Sequence, residues 1–163
     1  METPLARMYK TNFDGVMFGE SDKAGIGVII WNSRGEVMAS LAEKFLKPSS
    51  VETVELLAAR RVIILVQELG FENSIFEGDS KTIINSLRNS DQLKSFIGHL
   101  VPDTLSFVNS LRSWLFSLIG RQGNTITHAL TRRARLSSPL DVWMESVPPN
   151  ILHVLSVDFP IFQ

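Results

Sequence analysis

Three acids far apart in the chain, Asp14, Glu55 and Asp79, stand where a carboxylate is not the expected residue. Asp14 and Asp79 each close a run that reads as a strand, and each has a glycine beside it, Gly15 and Gly78. Glu55 lies in a helical pattern. Wound at about 100° per residue, that segment puts Val51, Val54, Ala58, Val62, Leu65, Val66 and Leu69 on one arc, with Thr53, Arg60 and Gln67 opposite. Glu55 projects from within the apolar arc, flanked by Ala58, Ala59 and Val62. A carboxylate aimed at an apolar layer is costly unless something pairs with it. The plain alternatives are an acid favoured by the start of its helix and two aspartates that form turns.

If the two strands are parallel neighbours, Asp14 and Asp79 lie side by side at the sheet edge where open α/β sheets place their sites. Gly15 and Gly78 would then let a substrate backbone approach. Crowded carboxylates repel one another and take up protons, and a bound Mg²⁺ or Mn²⁺ reverses that preference. Two such ions, roughly 4 Å apart, can activate a water on one side of a phosphodiester and stabilise the leaving oxygen on the other. Further along, Asn124 and His128 are spaced i and i+4, with Arg132 and Arg135 continuing their stripe. Ile126, Leu130 and Ala134 form the opposite, packing face of that helix, so the Asn124–His128 face is expected to look outward. His128 at the mouth of an acidic cluster is a candidate metal ligand or proton carrier.

The elements that must hold these residues follow from pattern and punctuation. Strands are predicted over Met8 to Asp14, Gly25 to Trp31 and Glu36 to Phe45, the last two joined by the turn Asn32-Ser33-Arg34-Gly35. A helix runs from Val51 to Leu69, capped by Ser49 or Ser50 and stopped by Gly70. A short strand, Ser74 to Glu77, precedes a helix opened by Asp79-Ser80 and carrying Ile83, Ile84 and Leu87. Phe96 to Leu111 is predicted helical, provided that Pro102 lies in its first turn or kinks it. Leu115 to Ile119 reads as a fifth strand, and a last helix runs from Gly123-Asn124 to about Leu136. The prediction is an α/β fold: a mixed five-stranded sheet, its first three strands antiparallel, flanked by helices on both faces. Residues 1–137 form this domain, and residues 138–163, with Pro139, Pro148, Pro149 and Pro160, form a C-terminal tail with apolar anchors.

Composition bounds the possibilities. A chain of 163 residues, 44% apolar, can bury one sizeable core. It contains no cysteine, which excludes disulfides, thiolate catalysis and cysteine-based zinc sites. No long uncharged apolar run occurs, and METPLARMYK lacks the apolar stretch of a secretory signal. An intracellular protein of the nucleus or cytoplasm, monomeric and away from membranes, is expected. The formal net charge of −1 argues against strong nonspecific nucleic-acid binding. Local asymmetry offsets this, because Arg121, Arg132, Arg133 and Arg135 crowd one segment and only the local field matters at a groove.

Five segments in order are familiar: Asn12-Phe13-Asp14-Gly15, Gly25-Ile26-Gly27, Val54-Glu55-Leu56-Leu57-Ala58, Phe76-Glu77-Gly78-Asp79-Ser80, and Arg121-Gln122-Gly123-Asn124 with His128-Ala129-Leu130. Together they resemble the ribonuclease H family, over about residues 8 to 136. More closely they look like the plant domain described as reverse-transcriptase-like or as a non-LTR retroelement ribonuclease H. The tail, Val142-Trp143-Met144-Glu145 to Pro148-Pro149, is similar to that plant group too. The resemblance implies hydrolysis of the RNA strand of RNA/DNA hybrids by two metal ions, with Asp14, Glu55 and Asp79 matching three of four metal-binding acids. His128 stands where active enzymes carry the fourth, so the expected metal and catalytic set is Asp14, Glu55, Asp79 and His128, with Gly15, Ser80, Arg121 and Asn124 toward the nucleic acid.

Two departures accompany the match. Holliday-junction resolvases of the wider superfamily use histidine at the comparable place, and imidazole can bind a metal although it is a softer ligand for magnesium than carboxylate; the loss of one negative charge should weaken the second metal site and favour Mn²⁺. Val51-Glu52 replaces the paired asparagines that bacterial-type enzymes set against the RNA strand, and the segment from Asp91 to Leu111 lacks their basic protrusion. The alternative reading is therefore a catalytically weak or inactive nucleic-acid-binding module. A third is a protein-interaction domain that docks a partner through Trp143, Leu152, Phe159 and Phe162.

Overall fold

The apolar stripe of the longest helix organises the sheet beneath it. The computed structural model describes residues 8–89, 99–136 and 139–151. In it this helix, α1 (Val51–Glu68), begins at Ser50, whose hydroxyl accepts from the Thr53 amide at 3.2 Å. It stops at Leu69, after which Gly70 takes a φ of +76°, a left-handed conformation that glycine adopts without steric cost. Val54, Leu56, Ala58, Ala59, Val62, Ile63, Leu65 and Val66 are all buried. Two assignments on the helical wheel change. Val51, the first helical residue, is 51% exposed. Thr53 is buried because its hydroxyl satisfies itself locally against that of Ser50, 2.8 Å away.

Three antiparallel strands come first, as predicted: β1 (Tyr9–Met17), β2 (Lys23–Trp31) and β3 (Val37–Leu46). At the β2–β3 turn the Asn32 side chain accepts from the Arg34 and Glu36 amides, both at 2.9 Å, and Gly35 supplies a positive φ. After α1 the chain lays β4 (Asn73–Gly78) parallel to β1, passes through α2 (Lys81–Asn89) and α3 (Leu100–Ser106), and lays β5 (Ser113–Leu118) parallel to β4. Pro102 is the third residue of α3, within the first turn, where no intrahelical donor is needed. The helix predicted from Phe96 is shorter than expected: α3 gives way to a 3₁₀ turn at Phe107–Ser110, and residues 96–98 lie outside the described residues.

A sixth strand corrects the predicted count of five. Leu140–Met144 of the tail forms β6, antiparallel to β3, and the sheet order is β5-β4-β1-β2-β3-β6. Asp141 and Trp143 alternate toward the last helix, α4 (Thr125–Arg133), where Arg133 lies 3.8 Å from the Asp141 carboxylate and over the Trp143 ring. The prolines around this stretch masked its alternation in the sequence. Trp143 thus packs inside the chain, while Leu152, Phe159 and Phe162 lie outside the described residues.

Helices cover both faces of the sheet. One core joins α1, α2 and α3 to Phe13, Val28, Ile30, Leu41 and Phe76. A smaller one joins Ile126 and Leu130 of α4 to Ile29, Trp31, Val147 and Ile151. Among the described residues no helix is long and apolar enough to cross a membrane.

Glycine lets α4 settle onto β2. A Cβ on Gly27 would stand against the Thr131 hydroxyl and 2.6 Å from the Thr127 carbonyl oxygen, which belongs to the helix backbone and cannot step aside. Gly27→Ala is therefore expected to cost about 1–3 kcal/mol through overpacking. Urea denaturation checks this against Gly19→Ala, where a methyl group meets nothing within 4 Å. Equal midpoints for the two variants would contradict the packing account.

Candidate metal centre

Parallel pairing of β1 with β4 runs from Tyr9↔Ser74 to Asn12↔Glu77, and two further steps in that register set Asp14 beside Asp79. Asp79 follows the end of β4, as expected. Asp14 does not end its strand: β1 stays paired with β2 through Met17↔Ala24, and Asp14 sits within it opposite Gly27. Strand alternation sends Phe13 and Gly15 toward α1 and Asp14 toward α4.

Gly15 serves the helix. A Cβ there would stand 2.7 Å from Val54 Cγ1 and 2.9 Å from the Val54 carbonyl oxygen, so only glycine lets the start of α1 come down on β1. The next residue of that helix is Glu55. The Gly78 position is likewise filled, with the Phe13 ring 2.7 Å from where its Cβ would be. The space a side chain would take at each of these glycines is occupied by the protein's own packing. Gly15 acts on the site through its amide, which donates to the Asp14 carboxylate.

The three acids converge. One carboxylate oxygen each from Asp14, Glu55 and Asp79 lies within 4.8 Å of the others. Asp14 is 4% exposed, and the other two are partly buried. Burial pushes the Glu55 carboxyl up to about 9, reinforced by the charges of Asp14, Asp79 and Glu52. Burial, then the charge of Asp79, also raises Asp14 above the ordinary carboxylate range. His128 Nδ1 lies 3.1 Å from Asp14 Oδ2 and opposes that rise by hydrogen bonding and by charge. No lysine or arginine is among the groups that shift Asp14 or Glu55.

These donors fit a hard divalent cation. The set is three carboxylates with one imidazole in contact, and Glu55 holds a proton where positive charge is lacking. A divalent cation bound there would displace that proton.

The other predicted site residues fall in different places. Arg121 is exposed in the 3₁₀ turn Arg121–Asn124 that leads into α4. Ser80 caps α2, its hydroxyl 3.4 Å from the Ile83 amide. Asn124 is buried rather than outward-facing, because its side-chain amide donates to the Phe13 carbonyl oxygen at 3.2 Å and ties α4 to β1 beside Asp14. The sequence reading missed a second layer under the acids. Asn12 and Glu77, each two residues before an aspartate of the centre, share a hydrogen bond of 3.1 Å, and burial raises the Glu77 carboxyl. Period-two alternation from Asp14 and Asp79 was the signal that would have found them.

Comparison with solved structures defines the class. Ribonuclease H1 of Halobacterium salinarum NRC-1 superposes with a TM-score of 0.73 at 17% identity, over 78% of this chain and 97% of its own. The N-terminal ribonuclease H domain of rv2228c from Mycobacterium tuberculosis, solved as a fusion with maltose-binding protein, gives 0.70 at 18%, over 78% and 92%. The LC11 ribonuclease H1, isolated from compost by a metagenomic approach, gives 0.72 at 19%, over 80% and 99%. The fold is that of ribonuclease H. The reverse-transcriptase-like family profile matches residues 12–134, and the chain belongs to that family within the ribonuclease H group. No curated protein matches.

Folded Glu55 keeps its proton up to about pH 9, while the unfolded chain releases it near 4.5. The folded state then binds the extra proton between those values, so stability of the metal-free protein falls as pH rises through that window. Thermal melting in a chelator is expected to give a lower Tm at pH 8 than at pH 5.5. Glu55→Gln should flatten the slope, and excess Mg²⁺ should raise the wild-type Tm at pH 8. A Tm that climbs with pH would count against the crowded-acid description.

Proposed function

We propose that this chain is an RNA/DNA hybrid ribonuclease that cuts the RNA strand with two Mg²⁺ or Mn²⁺ ions. The observation that carries the reading is the convergence of Asp14, Glu55 and Asp79 oxygens within 4.8 Å, with no lysine or arginine among the groups that shift Asp14 or Glu55. Family membership supports it, as does the solved LC11 ribonuclease H1 in complex with an RNA/DNA hybrid, which shares the fold at a TM-score of 0.69 and 18% identity.

Asp14, Glu55 and Asp79 would hold the ions, which supply the charge that activates a water and steadies the leaving oxygen. Glu55 would have to release its proton to serve as a ligand. Asp14 is oriented by the Gly15 amide and by His128. With its proton on Nδ1, His128 would donate to Asp14 and leave Nε2 free to accept or return a proton. Asn124 holds the start of α4 on β1 and so fixes where His128 stands. Arg121 would meet a phosphate at the rim, and the hybrid would be distinguished by 2′-hydroxyls and groove width rather than base sequence.

One observation favours a second reading. His128 touches Asp14 where the resemblance puts a fourth acid, which would leave the centre one negative charge short and fits a module that binds nucleic acid without turning it over. Incubating a labelled hybrid with Mg²⁺ or Mn²⁺ separates the two. Wild-type protein is expected to cut the RNA strand, Asp79→Asn to be slower by about a hundredfold or more, and His128→Asp to gain rate in Mg²⁺. Hybrid that is bound but left intact in both metals would leave only the binding module.

A further inference from the structure

The outer surface of α4 carries a basic track that the catalytic reading does not use. His128, which touches Asp14, also forms the near end of a groove between α4 and the 3₁₀ turn Pro149–Ile151. Arg132 lies one helical turn further along, Arg135 follows it, and no acidic residue lines the groove. A second hollow shares Arg135 and adds Lys44 of β3 and Lys23 of β2, with Glu20 the one acid on its wall. Arg133 is already committed to Asp141 and Trp143, and the Lys44 ammonium donates to the Arg135 carbonyl oxygen at 3.4 Å. Arg132 and Arg135 are exposed and have no ion-pair partner among the described residues. In a chain of net charge −1, this positive stretch leads away from the carboxylate centre.

We infer that this track is a second nucleic-acid contact surface, in which Arg132 and Arg135 hold backbone phosphates of the duplex that extends beyond the metal centre. The inference rests on the proposed function for the direction of the duplex. Guanidinium groups suit phosphate because they are planar, always charged and able to donate in pairs. Arg132 stands on α4 and Arg135 in the 3₁₀ turn Ala134–Leu136 that follows it, so the two offer successive phosphate contacts, and base edges are not required. The surface would supply grip that the missing basic protrusion does not.

The test measures hybrid binding against salt concentration in a full-length Asp79→Asn background, where the strand stays intact. Each phosphate contact contributes a slope of about 0.9 to the dependence of log affinity on log salt. Arg132→Gln with Arg135→Gln is expected to lower the slope by about two, while Arg112→Gln, at the opposite end of the sheet beside Glu72, leaves it unchanged. Circular dichroism confirms that each variant is folded. A slope unaltered by the double substitution overturns the inference, as does failure of the Asp79→Asn protein to bind the hybrid. Displacement by polyglutamate as effective as by the same concentration of nucleic-acid charge would also overturn it, in favour of an acidic protein partner. Absence of strand cleavage by the wild type, with the slope change intact, would sink the nuclease reading alone and leave the phosphate track standing.

Discussion

Mutual repulsion among three buried or half-buried carboxylates is the constraint around which this chain is built. Side chains that would spread apart in water are drawn to one lip of the sheet by three separate elements. β1 carries Asp14, α1 carries Glu55, and the turn after β4 carries Asp79. The protein offsets little of the cost itself. One imidazole and one backbone amide on Asp14, and the proton retained on Glu55, stand in for a cation. An arrangement of this kind is stable in a fold whose main energy comes from elsewhere, here from two apolar cores on either side of the sheet.

Close packing sets the geometry of the centre. Gly15 brings the start of α1 onto β1, Gly27 brings α4 onto β2, and Asn124 ties that helix to the backbone of Phe13. Each contact acts at one remove from the acids, yet each decides where Glu55 or His128 stands. The residues beside the acids therefore have a structural purpose that a purely functional reading would assign to substrate.

Much of this was legible in the sequence because it rests on periodicity. The apolar arc of α1 with Glu55 inside it, the hairpin turn at Asn32–Gly35 and the switch from antiparallel to parallel strands all follow from local pattern. The departures arise where neighbours in space decide. Asp14 was expected to end a strand, but pairing with β2 keeps the chain extended to Met17. Asn124 shares a helical stripe with His128, yet the carbonyl of Phe13, distant in sequence, draws it inward. The Leu140–Met144 strand is flanked by prolines, and only the free edge of β3 makes it part of the sheet. Identities of 17 to 19% with ribonuclease H structures show the same thing at larger scale, since the topology persists while most side chains differ.

Glu55 holds a proton in place of a metal ion's charge. Titration calorimetry with Mn²⁺ at pH 7, repeated in buffers of different ionisation enthalpy, counts the protons released on binding. Saturable binding with release of about one proton is expected, and loss of that release in Glu55→Gln, whose amide has no titratable proton. Binding with no dependence on the buffer, or no binding at millimolar Mn²⁺, would contradict it.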